Sequence, residues 1–345
     1  KANLHELAFG ITSDNAAFGA VGNAADPTRF AGGSSGGTAV AIAAGIVPAG
    51  LGTDTGGSVR IPAALNGIVG FRPTTGRYSP AGVVPISHTR DTIGPMARSV
   101  ADVMLLDGIL AGGTPATVPA LSDVRLGIAT PHVNNLSAGV SAAFEAAKAA
   151  MLQGGATLVD VDLTAVVAAA GEAGFPIALY EAKTDLAAFL AEFQPGTTVE
   201  EVAAATASPD VNALFTSAIL GEGAVPEAVY QQALESLPGI RAAYAALFDD
   251  NDLDAIIFPT TPLAAQPIKG TMETVELNGE QVPTFPTFIR NTDAASLIAA
   301  PGLSLPMGLT PEGLPVGLEL DGRPQEDAAL LALGLAIEAA LADAR

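Results

Sequence analysis

Gly32-Gly33-Ser34-Ser35-Gly36-Gly37-Thr38, followed by Gly52-Thr53-Asp54-Thr55-Gly56-Gly57-Ser58-Val59-Arg60-Ile61-Pro62-Ala63, is the stretch on which the fold turns. It holds two glycine-rich turns, and their serines Ser34 and Ser58 stand 24 residues apart. Glycine beside a reactive serine has a physical use: it adopts torsions other residues avoid, and it leaves N–H groups uncovered to meet a developing oxyanion. Each such donor supplies ~3–4 kcal/mol of transition-state stabilisation. Thr55, Gly56, Gly57 and Ser58 offer four consecutive N–H groups, and Asp54 and Arg60 flank them as a pair able to hold the turn.

Outward from these turns, Thr38 to Ile46 is alanine-rich and apolar and reads as a buried helix whose N-terminus faces the first glycine loop. Val47 to Leu51 leads into the second turn, and Ile61 to Leu65 reads as a short helix with Pro62 suited to its first turn. Ser99 with Asp102 approximates a capping box, and Val103, Leu105, Leu106, Ile109 and Leu110 follow at helical spacing. Arg125 to Ala129, Ala138 to Met151 and Ala156 to Val161 read as strand, helix and strand. Residues 164 to 250 are mostly helical. Leu253 to Pro259 reads as a strand, Leu303 to Pro306 and Pro315 to Leu320 as paired strands, and Asp327 to Ala342 as a closing helix. Strands alternating with helices imply an α/β layered sheet.

Composition narrows the function. The 345 residues are 49% hydrophobic and only 15% charged, enough for a packed core. A net charge of −21 repels phosphate backbones, so nucleic acid is not an expected partner. Zero cysteines exclude disulfides, Fe–S clusters and thiol catalysis, and are compatible with the cytoplasm, the expected location. No apolar run reaches the roughly 18 residues of a membrane span. No histidine pair or carboxylate cluster has ligand-like spacing, so neither metal nor organic cofactor is expected.

A serine nucleophile needs a base, and His5, His88 and His132 are the only histidines. Gly33-Ser34-Ser35-Gly36-Gly37 fits the G-x-S-x-G elbow literally, but Asp26-Pro27-Thr28-Arg29-Phe30 before it does not read as the strand that elbow requires. A P-loop fails because no Gly-Lys-Ser/Thr follows. Taken together, the two serine turns resemble the amidase signature family. Gly67-Ile68-Val69-Gly70-Phe71-Arg72-Pro73-Thr74, Gly94-Pro95-Met96-Ala97-Arg98, Pro301-Gly302-Leu303-Ser304-Leu305-Pro306 and Gly313-Leu314-Pro315-Val316-Gly317 extend the likeness over the whole chain.

The resemblance implies a single α/β domain, layered α/β/α around a central mixed sheet. Residues 1–120 would form the catalytic core, 121–163 a βαβ unit, 164–250 a helical insertion or lid, and 251–345 the strands and helix that complete the core. It also implies a Ser-Ser-Lys triad: Ser58 as nucleophile, Ser34 as bridging serine behind a cis peptide bond, and Thr55, Gly56, Gly57 and Ser58 as oxyanion hole. Asp54, Arg60, Ser35 and Gly33 would be supports. The family's lysine is matched by none of Lys1, Lys148, Lys183 or Lys269, and is expected upstream of the opening Lys1-Ala2-Asn3-Leu4-His5-Glu6. Phe9-Gly10-Ile11-Thr12-Ser13-Asp14-Asn15 and Ile86-Ser87-His88-Thr89-Arg90-Asp91-Thr92 look like the indoleacetamide and mandelamide hydrolase branch. The expected partner is therefore a small, aryl-acetamide-like amide. Other small amides, an amidotransferase A-type subunit, and an inactive amide-binding fragment stay open, as does a homodimer. His88 is expected near the substrate pocket or as an anchor of its own loop, Arg90 and Asp91 as an ion pair or loop anchor. Phe175, Phe189, Phe193, Phe215, Phe285 and Phe288 are candidates for an apolar pocket or the core.

Overall fold

The computed structural model describes residues 1–343. An eight-stranded mixed sheet organises them. The strands are β1 (Ala49–Asp54), β2 (Val69–Arg72), β3 (Thr92–Ala97), β4 (Arg125–Thr130), β5 (Thr157–Asp162), β6 (Ala255–Pro259), β7 (Thr274–Leu277), β8 (Glu280–Pro283), β9 (Gly302–Leu309) and β10 (Pro315–Asp321). The sheet order is β1-β3-β2-β9-β10-β6-β4-β5, and β7 and β8 form a separate hairpin. Pairing is antiparallel from β1 to β6 and parallel across β6, β4 and β5.

The helices are α1 (Gly36–Ala43), α2 (Arg60–Asn66), α3 (Val100–Ala111), α4 (Ala138–Gln153), α5 (Thr164–Phe193), α6 (Val199–Ala205), α7 (Pro209–Leu214), α8 (Glu227–Asn251), α9 (Thr284–Ile289), α10 (Asp293–Ile298) and α11 (Asp327–Asp343). They cover the sheet in two layers. Val100, Val103, Val140, Phe144, Leu330 and Ile337 of α3, α4 and α11 pack against one face, with Leu303, Leu305 and Leu318 of the sheet. Ala170, Ile177, Tyr244, Phe248 and Leu297 of α5, α8 and α10 pack against Ile256 and Phe258 on the other. Among the described residues no helix is long and apolar enough to cross a membrane.

Local chemistry explains many element ends. The Ser99 hydroxyl accepts from Asp102 N at 3.2 Å and caps α3, as its spacing predicts. β4, α4 and β5 form the expected βαβ unit, in register Arg125 with Thr157. β9 and β10 pair antiparallel, also as read from the sequence. Five strands go unread there: β1, β2, β3, β7 and β8. β2 and β3 are short and interrupted by Gly70, Gly94 and Pro95, so alternation is hard to see. The β7–β8 hairpin carries Asn278 at φ 53 and Gly279 at φ 90, the left-handed pair a two-residue turn demands.

His132 shows what burial does to a titratable group. It follows the cis Thr130–Pro131 bond after β4, and its ring lies 4.4 Å from that of Phe258. Burial, reinforced by the Arg290 cation, lowers its imidazole to about 3. Unfolded, it titrates near about 6.5. Between those values the unfolded chain binds a proton that the folded chain refuses. The stability tied to neutral His132 is therefore complete above about 6.5 and drains away as the pH falls toward 3. His132→Phe is expected to lose about 3 kcal/mol less than the parent between pH 7 and 4 in urea titrations. Parallel losses in the two proteins would remove His132 from the acid sensitivity.

Candidate active site

β1 ends at Asp54, the 55–58 turn follows, and α2 begins at Arg60. The 32–37 turn abuts it. Ser35 N donates to Ser58 O at 3.1 Å, and Thr53 N donates to Ser35 Oγ at 3.3 Å. The Gly33–Ser34 peptide bond is cis. Glycine is required at 33, because a Cβ there would lie 2.9 Å from Ser13 N. Ser34 is 1% exposed and its Oγ has no hydrogen-bond partner among the described residues. Ser13 Oγ donates to Ser34 O at 3.1 Å and accepts from Gly36 N at 3.2 Å, so the first turn is tied down around that free hydroxyl.

A fully buried charge cluster underlies the second turn. Arg60 Nε and Nη2 each meet an Asp54 oxygen at 3.0 Å, and Nη1 donates to Glu319 at 3.0 Å. Arg72 Nη1 donates to Asp54 Oδ1 at 3.1 Å and also to the Asp54 carbonyl. Asp54 in turn accepts from Val59 N at 3.1 Å, which closes the turn into α2. Burial alone would raise the Asp54 carboxyl, but the two guanidiniums outweigh it and hold it well below the usual range. Glu319 and Asp321 go the other way. Burial pushes both up, Asp321 further because Glu319 faces it, so this pair retains a proton where exposed carboxylates are ionised.

Ser58, Thr55 and Gly56 open on a cavity of roughly 310 Å³. Its walls are largely apolar: Phe9, Ile11, Ile86, Phe175, Leu179 and Phe285 come from four separate segments. Arg90, Asp210 and Asp293 are its charged members. Arg90 is paired with Asp293 and donates from Nε to Thr55 O at 3.1 Å. Asp210 accepts from the buried His5 ring at 3.0 Å.

Comparison with known proteins identifies the family. The family model described as Amidase matches residues 1–331. The chain belongs to the amidase family. It is 44% identical over 342 residues to an indoleacetamide hydrolase of Agrobacterium vitis, covering 98% of this chain and 73% of that protein. It is 42% identical over 356 residues to a mandelamide hydrolase of Pseudomonas putida, covering 99% and 69% respectively. A crystal structure of an amidase superposes with a TM-score of 0.84 at 37% identity, over 97% of this chain and 73% of that one. The expected α/β amidase-signature fold with its mixed sheet is thus the fold of this chain, and the chemistry is that of an amide C–N hydrolase.

In this amidase the residues singled out from the sequence separate into two groups. Ser34, Ser35, Asp54, Thr55, Gly56, Gly57, Ser58 and Arg60 come together, with Gly33 beneath them. His88 does not join them. It lines a neighbouring cavity of roughly 530 Å³, and its side chain is 64% exposed. The reason lies in its loop. Ser87 Oγ and Thr89 Oγ1 both donate to buried Glu181 of α5 at 2.5 Å, and the ring between them is left against Asp185 at 3.0 Å. Partial burial opposes protonation of His88, but Asp185 and Glu181 raise its pKa. His88, Glu181 and Asp185 bring ligand-type atoms within 4.8 Å of one another, a grouping hidden in the sequence by the 92 positions between His88 and Glu181. Glu181 already accepts from Ser87, Thr89 and Tyr230, so the trio clasps the 86–91 loop to α5.

Of the six phenylalanines, Phe175 and Phe285 line the Ser58 cavity, Phe189 and Phe193 the neighbouring one, and Phe215 and Phe288 are core. Asp293, Asp210 and Thr292 were not singled out from the sequence, since nothing local distinguishes them. Lys1, Lys183 and Lys269 are exposed, Lys148 pairs with Glu145, and none of the four lines the cavity.

Proposed function

We propose that this amidase hydrolyses the carboxamide of a small, aryl-acetamide-like substrate to a carboxylate and ammonia through a Ser58 acyl-enzyme. The observation that carries the reading is Ser58 at the mouth of a glycine turn, opening on a cavity walled by Phe9, Phe175 and Phe285. An aromatic acyl group fits such walls, and the amide fits the polar end at Thr55 and Gly56. The names of the two hydrolases compared above support the same substrate class.

In the proposed cycle Ser58 Oγ attacks the amide carbon while its proton passes to Ser34 and on to a base. The carbonyl oxygen takes the negative charge and is met by N–H groups of residues 55–58. The C–N bond then breaks, the nitrogen takes a proton and ammonia leaves. Water attacks the ester, the carboxylate departs and Ser58 regains its proton. Buried Ser34, whose Oγ has no partner among the described residues, is the group through which the proton travels. The four lysines of this sequence are exposed or surface-paired, so the base is a different group, and the lysine implied by the family likeness is the reading adopted.

Ammonia release from phenylacetamide, indoleacetamide and aliphatic amides tests this, with the 345-residue chain run beside the protein expressed from a start upstream of Lys1. The expected result is activity in the longer protein, with kcat/KM about tenfold or more higher for the aryl amides. Full activity in the shorter chain would end the Ser34-to-lysine route. Aryl-amide binding without ammonia from either protein would favour an amide-binding protein that does not hydrolyse.

A further inference from the structure

The 55–58 turn is asymmetric in its hydrogen bonding. None of the N–H groups of Thr55, Gly56, Gly57 and Ser58 finds an acceptor among the described residues. The carbonyls leading through the turn are all taken. Asp54 O accepts from Arg72 Nη1, Thr55 O from Arg90 Nε at 3.1 Å, and Gly56 O from Thr292 Oγ1 at 2.6 Å. Gly57 O accepts from Ile61 N at 2.8 Å, and Ser58 O from Ser35 N at 3.1 Å.

A trans peptide is planar, and its C=O points opposite to the N–H of the next residue. The bonds through this turn are trans, so whatever grips one carbonyl also aims the following amide. Arg90 at Thr55 O therefore sets the direction of Gly56 N–H, and Thr292 at Gly56 O sets that of Gly57 N–H. The Ile61 bond belongs to the start of α2. Arg90 and Thr292 are recruited from far along the chain. Both are firmly placed. Arg90 is also paired with Asp293, and a Cβ on Gly174 would come within 2.6 Å of its Nη1. Thr292 is fully buried, and a Cβ on Gly57 would meet its Oγ1 at 2.2 Å. Gly57 sits at φ +143, a region open to glycine, and has no side chain of its own to hold its peptide in place.

We propose that Thr292 and Arg90 are positioning residues of the oxyanion hole: by holding the Gly56 and Thr55 carbonyls they aim the Gly57 and Gly56 N–H groups at the substrate oxygen. The inference rests on the reading of the 55–58 amides as oxyanion donors. It separates the residues that aim the amides from Asp54 and Arg60, which tie the base of the turn to the sheet.

Thr292→Val removes the hydroxyl at nearly constant shape, and Thr292→Ser keeps it. The assay uses the protein from its complete coding sequence, phenylacetamide as substrate, and a benzylboronic acid that forms a tetrahedral adduct on Ser58. The valine variant is expected to lose about 10–10²-fold in kcat with KM nearly unchanged, and boronate affinity is expected to fall in parallel. The serine variant is expected to restore both. Unchanged kcat, or a raised KM alone, would overturn the proposal, because a packing role does not single out the tetrahedral state. Should the valine variant fail to fold, Arg90→Lys carries the test, since it keeps a cation beside Asp293 and loses the Nε donor. Ser58→Ala in the same assay separates the two levels. If it abolishes turnover and adduct formation while the Thr292 and Arg90 variants behave as the parent, only the positioning inference fails. If it retains both, the acyl-enzyme reading fails and the inference falls with it.

Discussion

Replacing Ser58 with alanine is expected to lower turnover of an aryl amide by roughly 10⁴–10⁶-fold, the scale on which loss of a serine nucleophile is felt. Ser58 stands where β1 gives way to α2, at the polar end of an otherwise apolar cavity. Among the described residues its side chain makes no hydrogen bond, so the substitution leaves no buried group unpaired and the thermal midpoint is expected to stay put. Ammonia release measures the loss, and intact-protein mass spectrometry of a quenched reaction should lose the acyl adduct. Near-normal turnover, or an adduct that survives the substitution, would take the nucleophile role away from Ser58.

The second large effect is on stability. Arg60→Met is expected to cost about 3–5 kcal/mol, because removing one partner of a buried ionic cluster strands the others. Arg60 holds Asp54 through two bonds at 3.0 Å, Glu319 through a third, and Ser296 Oγ at 2.7 Å, so it joins β1, α2, β10 and α10. Without it, Asp54 keeps only Arg72 and Glu319 loses the guanidinium it binds, and burial lowers the Arg72 guanidinium to about 10. The pH response should change sign in part. In the parent, the depressed Asp54 carboxyl contributes stability above the ordinary carboxylate range and loses it in strong acid. In the variant, the stranded carboxyls are relieved by protonation, so mild acid should recover part of the loss. Urea denaturation at pH 7 and pH 5 measures both. A loss under about 1 kcal/mol at pH 7 would mean that the cluster relaxes around the missing cation.

Much of this molecule is legible one segment at a time. Ser99 caps α3 because a hydroxyl and an amide three residues on are neighbours by construction. The βαβ unit over β4, α4 and β5 is written in periodicity, and both serine turns are written in glycine. Because the glycine turns are long and ordered, the amidase likeness was readable from residues 32–38 and 52–63 before any geometry was known. The short strands β2 and β3 were not, because strands buried on nearly every residue carry no alternation to detect.

The family, the α/β class and the placing of Ser34 and Ser58 in two glycine turns can be read from residue order alone. The tertiary structure decided the rest. It placed His88 on a clasp to α5, away from Ser58, and chose Phe175 and Phe285 as cavity wall from the six phenylalanines singled out in the sequence. It also brought Thr292 to Gly56 across 236 positions and Glu319 to Arg60 across 259. The division has a physical cause. Turn torsions, caps and periodicity are set by neighbours a few bonds away and leave a mark on composition. The partner of a buried carbonyl or guanidinium is set only when distant segments pack, and any hydroxyl or carboxylate at the right place in space will serve.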